Sequence, residues 1–183
     1  MALSETFENK TIYRPQIQVF EQCVFKKCTF EDISCCEFLK CEFHDCNFSN
    51  CKTNGTAFQE TTFVNCKMLG VNFSQCNTFL LSFRFENCQL DYSDFSKIEI
   101  PRTSFCNSSL KDVLFEQTKL SASTFAGSNL QNATFHRCDL SHCDFNTAQN
   151  FTIIPKDNLM RQAKFSIYGL EGLLTEFGLK ICQ

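Results

Sequence analysis

The sequence predicts an all-β repeat solenoid, a rod of very short stacked strands with one continuous core. Three observations lead there. A large apolar residue stands at every fifth position from Phe85 to Phe145 without a miss. A small residue stands two positions before nearly every one of them. And the spacing of five fits neither the 3.6 of a helix, the 2 of a strand nor the 3.5 of a coiled coil, so it must belong to a repeat architecture.

The central positions come first. They run Phe85, Leu90, Phe95, Ile100, Phe105, Leu110, Phe115, Leu120, Phe125, Leu130, Phe135, Leu140, Phe145. Upstream, Phe20, Phe25 and Phe30 keep one phase, and Ile33 opens a second that continues through Phe38, Phe43, Phe48, Phe58, Phe63, Met68, Phe73 and Phe83. The step from Phe83 to Phe85 is a two-residue insertion. Of 22 phenylalanines, 17 occupy these centres, so the aromatics are spent on structure.

The small slot comes second. It holds 11 of the 14 cysteines (Cys23, Cys28, Cys36, Cys41, Cys46, Cys51, Cys66, Cys76, Cys88, Cys138, Cys143) and elsewhere mainly Ser, Thr, Val or Ala. Small and large residues two apart point to one face, as in a strand. The remaining polar positions must then turn the chain.

This pattern resembles the pentapeptide-repeat proteins over about residues 20–145. The resemblance implies a right-handed quadrilateral β-helix of four five-residue walls per coil, with small and large residues inward. On such a coil the third run places Phe on two opposite walls and Leu or Ile on the other two. Ladders such as Phe95–Phe115–Phe135 and Phe105–Phe125–Phe145 then run along the axis. Coils of about 20 residues stacked at ~4.8 Å give a rod of about 30 Å between Phe20 and Phe145. Each buried Phe contributes about 1.5–3 kcal/mol.

The chain divides into an N-terminal cap at 1–17, the repeat at 18–150, and a closing module at 151–183. In the last part Met160 and Phe165 return to phase as one more imperfect coil. Leu170, Leu173, Leu174 and Phe177 then follow the i, i+3, i+4, i+7 spacing of an amphipathic α-helix. Gly178 suits its C-terminal end, and Leu179 to Ile181 read as a returning strand. A solenoid end needs covering, and the size of this apolar face suggests a two-fold contact through Phe165, Leu170, Leu173, Leu174, Phe177 and Ile181.

No catalytic, metal or cofactor constellation is read. Cysteines spaced by five do not match the paired spacing of structural zinc sites, and free Cys packs as a small hydrophobe. Cys35, Cys106 and Cys182 fall outside the slot and are the candidate reactive thiols. His44, His136 and His142 sit at outward positions far apart. No stretch approaches the roughly 20 apolar residues of a membrane span, and the N-terminus lacks the regions of a signal peptide. The expected location is therefore cytoplasmic, with thiols reduced.

Function is expected where the repeat fails. Thr53 replaces a large centre beside the turn-forming Asn54-Gly55. Around the insertion, Phe79, Leu80 and Leu81 form an apolar cluster, read as inward repacking or a bulge, or as a protruding partner-binding bulge. The section 85–150 carries 5 basic against 8 acidic residues; Asp91, Asp94, Glu99, Asp112 and Glu116 are the candidate contacts within it. A net charge of −3 argues against nucleic-acid binding, which wants a basic stripe.

The F-x-x-C units, the stretch FHRCDLSHCDF and the closing GLEGLLTEFGLKI resemble the gyrase-protecting branch of the family. That branch includes the Qnr-type quinolone-resistance proteins, the mycobacterial fluoroquinolone-resistance protein and the microcin immunity protein. The resemblance implies a homodimeric, non-enzymatic, DNA-shaped rod that binds DNA gyrase and topoisomerase IV and relieves poisoning by quinolones or a toxin. The competing reading is an interaction scaffold unrelated to gyrase.

Overall fold

The computed structural model describes residues 1–16 and 18–180. It is a solenoid of parallel strands, most of them three residues long. Four ladders succeed one another within a single turn: Phe85 pairs with Phe105, Gln89 with Ser109, Asp94 with Leu114 and Glu99 with Lys119. Parallel strands need a long crossover to return to register; here the other three walls of the coil serve as that crossover. The longest sheet runs from Thr6–Glu8 through Val24–Lys26, Glu42–His44, Thr61–Val64 and Phe83–Glu86 to Ser104–Cys106.

The corners have one recurring solution. Two residues after a centre the backbone turns left-handed, as at Gln22 (φ 54°), Asn87 (φ 53°), Tyr92 (φ 64°) and Lys97 (φ 61°). An L-residue there costs on the order of 1 kcal/mol. The turn aims its N–H at the next coil: Gln22 donates to Leu39 at 2.8 Å and Tyr92 to Lys111 at 2.9 Å. A ladder bond that keeps a polar backbone group satisfied offsets the strain.

The phase changes are changes in coil length. Ala2 pairs with Phe20 and Phe20 with Phe38, which are 18-residue steps. Phe38 pairs with Phe58 at a step of 20, and Phe63 with Phe85 at a step of 22. From Phe85 onward every step is 20, through Phe145 with Phe165. The coil from Phe20 to Phe38 loses its two residues between Phe30 and Ile33, where Asp32 is buried. Asp32 accepts from Ser34 N at 3.1 Å and from Arg14 Nε at 2.9 Å.

The core is one cluster running the length of the rod. On the wall of Phe63 and Phe85 every centre is phenylalanine: Phe7, Phe25, Phe43, Phe63, Phe85, Phe105, Phe125, Phe145 and Phe165 form an unbroken column. Their rings stack at centroid separations of 4.7–5.3 Å. The expected Phe95–Phe115–Phe135 ladder stands opposite. Its rings meet the first column edge-to-face, as Phe95 does Phe105 at 5.6 Å and 89°.

The small slot does more than save space. Its side chains donate to the carbonyl of the centre one coil back: Thr56 to Ile33 at 2.8 Å, Thr118 to Phe95 at 2.9 Å, Cys41 to Phe20 and Cys66 to Phe43 at 3.3 Å. Cys, Ser and Thr are the small side chains that carry such a donor, which explains their alternation at one position.

Both ends extend the stack. Within the expected cap at 1–17, the strands Ala2–Leu3, Thr6–Glu8 and Thr11–Tyr13 already pair with the following coil, so they belong to the solenoid. At the other end Asp139 bridges Leu159, and Asp144–Phe145 pairs with Lys164–Phe165, the imperfect coil the sequence predicts. The expected amphipathic α-helix is corrected: Ile167–Leu173 and Thr175–Phe177 form 3₁₀ turns. Ser166, Gly169 and Gly172 recur every three residues, the period of a 3₁₀ row. Gly169 and Gly172 lie against Phe151, where a Cβ on Gly172 would stand 2.2 Å from the Phe151 carbonyl oxygen. Leu179 and Lys180 form no strand, and Ile181 and Cys182 lie outside the described residues.

Candidate interaction surfaces

The insertion forms a bulge at residues 77–82. Asn77 still bonds Thr56 in the 20-residue phase, and Ser82 then bonds Phe58 across the extra residues. Asn77 Oδ1 accepts from Phe79 N at 2.9 Å, and Leu80 turns left-handed at φ 54°. The apolar cluster is thereby divided. Phe79 and Leu80 are 68% and 64% exposed, whereas Leu81 is buried at 6%. Phe83 is corrected from a centre to the small slot: it pairs with Thr61, and its ring tilts 55° against Phe58 to fill the gap left by the bulge.

Thr53 is not a surface residue. It is 3% exposed and its hydroxyl donates to the Asn72 carbonyl at 2.6 Å, satisfying the polar group inside the core wall. Asn54 beside it is exposed, at the corner made by Gly55 at φ 67°.

The acidic candidates divide by register. Asp91 and Asp94 flank one corner, and Asp112 turns that corner in the next coil, directly over Tyr92. Asp91 Oδ1 is held by Ser109 Oγ at 2.5 Å and Lys111 N at 2.9 Å, and Asp112 Oδ1 by Asn132 at 3.1 Å. Glu116 lies on the wall of Asp94, while Glu99 lies on the next wall in an ion pair with Lys119. Three of the five thus share an edge, together with exposed Tyr92 and Leu114.

At the C-terminal end Phe165 stacks on Phe145 and is half-buried, and Leu173 packs on the core. Leu174 is half-buried, Leu170 is exposed, and Phe177 is 61% exposed. Sequence periodicity missed Leu159, Ile167 and Tyr168, which are exposed around the same end together with Leu179, Tyr168 at 91%. Lys156 pairs with Glu176 and ties the 3₁₀ segment to the last coil.

The thiols divide as their slots predict. The in-slot cysteines are buried, Cys35 is exposed and Cys106 half-buried, hydrogen-bonded to Ser104. Burial pushes the Cys36 thiol up to about 11 and those of Cys41, Cys51, Cys76 and Cys143 up to about 12. A thiol that rarely ionises is a poor nucleophile. Among the described residues no group of three or more His, Cys, Asp or Glu could hold a metal ion, and no helix is long and apolar enough to cross a membrane. His44 lies 3.0 Å from Glu42, His136 is on the wall of Phe115 and Phe135, and His142 turns a corner at φ 61°.

Solved structures share this scaffold. A trypsin-treated variant of QnrB1, a plasmid-mediated fluoroquinolone resistance protein, superposes with a TM-score of 0.70 at 16% identity, covering 99% of both chains. A second trypsin-treated variant gives 0.68 at 17%, again over 99% of both. HetL, a pentapeptide repeat protein involved in heterocyst differentiation regulation in the cyanobacterium Nostoc sp., gives 0.54 at 12%, covering 92% of this chain and 88% of that one. No curated protein matches the chain in sequence. The profile of the pentapeptide repeat region matches residues 36–113 and 80–153, and the chain belongs to the pentapeptide-repeat family.

Proposed function

We propose that the protein is a cytoplasmic, non-enzymatic protector of type II topoisomerase: a right-handed rod that occupies the DNA-binding surface of DNA gyrase or topoisomerase IV and relieves poisoning by a quinolone or a toxin. The observation that carries the reading is the end-to-end likeness in fold to QnrB1, a fluoroquinolone resistance protein, over 99% of both chains. The sequence adds the closing segment and the F-x-x-C units that resemble the gyrase-protecting branch.

Shape does more here than charge. Eight coil steps from Phe7 to Phe165 at ~4.8 Å make a rod of about 40 Å, and pairing two rods through their C-terminal ends doubles that length. Duplex DNA carries about one charge per 1.7 Å, against a net −3 on this chain. Phe79 and Leu80 supply the apolar anchors, the edge of Asp91, Asp94 and Asp112 the polar contact, and Asn54, Glu99 and Glu116 flanking ones. Phe165, Leu170, Leu173, Leu174 and Phe177 form the two-fold contact.

The test is gyrase supercoiling with ciprofloxacin, with and without the protein. Restored supercoiling together with direct binding to gyrase is expected. Neither rescue nor binding would leave a scaffold for another partner. Charged residues in place of Leu174 and Phe177 are expected to halve the mass in solution; an unchanged mass contradicts the two-fold contact.

A further inference from the structure

The first coil of the described chain has an apolar floor. Phe7, Ile12 and Phe20 line a cavity of about 440 Å³ there, and the strands Ala2–Leu3, Thr6–Glu8 and Thr11–Tyr13 pair on one side only among the described residues. Free strand edges over apolar rings are a template for pairing with another chain.

Two residues interrupt that template. By register Glu5 heads the inward column that continues as Cys23, Cys41 and Thr61, and Lys10 heads the column of Cys28, Cys46, Cys66 and Cys88. Every later member of both columns is uncharged, down to Cys143 and Ser128. Lys10 also lines the cavity and is exposed. Neither residue is in an ion pair among the described residues. A second rod placed on this end would move both charges from solvent into the layer where Cys23 and Cys28 are 0% and 1% exposed. Burying ions without well-aligned partners and further hydrogen bonds costs more than their mutual attraction returns.

We propose that Glu5 and Lys10 keep the N-terminal end of the rod single by placing charge in the two inward slots that stacking would bury. The rod can then associate at its other end without growing into a filament.

The test is Glu5→Ser with Lys10→Ser, the residue type that later coils carry in these slots. Light scattering over about a hundredfold range of concentration reads association by mass action, and circular dichroism reads the fold. The expected result is at least a doubling of mass over the parent, growing with concentration, whatever the parent's own state. A charge-keeping control, Glu5→Asp with Lys10→Arg, is expected to match the parent. An unchanged mass in the double-serine variant overturns the proposal, as does equal association of the control. A fall in mass would also overturn it, because the two charges would then be joining rods. Should the double variant not fold, Lys10→Gln alone, read against the parent, decides by the same criteria.

Discussion

Phe105 is the most revealing single side chain to remove. It sits inside the nine-ring column, fully buried, stacked on Phe85 at 5.3 Å and Phe125 at 5.0 Å, with edge contacts to Phe95 at 5.6 Å and Phe115 at 5.9 Å. Phe→Ala in a core costs about 3–5 kcal/mol, and four ring contacts with no route for collapse place Phe105→Ala at about 4–5. Phe7→Ala removes a half-buried ring with one stacked neighbour at 4.9 Å and one edge contact at 5.8 Å. It lies at an end that can relax, and about 1–2 kcal/mol is expected. Urea unfolding followed by circular dichroism measures both, since a midpoint shift at constant slope reports stability. In a quasi-one-dimensional stack each coil touches only its neighbours, so a central lesion can also split the transition in two. A single column would be refuted by equal midpoint shifts for Phe105→Ala and Phe7→Ala.

Asp32 makes stability depend on acid. Hydrogen bonds from Ser34 and Arg14 hold its carboxyl down to about 2. A depressed folded value means stability that is present above the ordinary carboxylate range and lost as pH falls from about 4 toward 2. With Arg14 largely in water, the contribution is about 1–2 kcal/mol. Asp32→Asn should therefore be less stable than the parent at pH 7 and equal to it near pH 2; a gap that persists in acid contradicts this. Gly127→Ala should destabilise by about 1–2 kcal/mol through its positive φ, and through a Cβ only 2.2 Å from Asn107 Oδ1. Asn107→Ala should restore part of that loss in a double-mutant cycle, and strict additivity would rule out the clash. Thiol alkylation of the native protein should modify Cys35 readily and Cys106 more slowly, leaving Cys41, Cys51 and Cys143 untouched until denaturant is added. Early labelling of those three by mass spectrometry would contradict their burial.

The repeat was legible because each unit is a local statement: five residues name their own wall, small slot and corner. What the sequence could not display was what depends on the coil beneath. The slips at Ile33 and Phe85 read as breaks in phase, but they are a short coil and a long one, and the core continues through both. Phe83 kept the old phase in the sequence and took the small slot in the structure, because pairing with Thr61 is fixed by the strand and not by the count of residues. Thr53 looked like a gap and is a satisfied hydroxyl, since its acceptor lies 19 residues away. The first coil escaped notice because Glu5 and Lys10 stand where the small residue should be.

The C-terminal segment shows the opposite error, a period that was present and misassigned. Leu170, Leu173, Leu174 and Phe177 satisfy the α-helical spacing, but apolar spacing records only which residues seek cover. Ser166, Gly169 and Gly172 record how closely the backbone must approach, and at a step of three they select the tighter winding. Phe151 decides between the two patterns. Its carbonyl and ring occupy the volume a side chain at position 172 would need, and Ile153 N donates to the Gly172 carbonyl at 2.9 Å. Contact with the rod therefore overrides the apolar stripe. The segment lays its small face on the last coil, which leaves Tyr168 and Phe177 exposed.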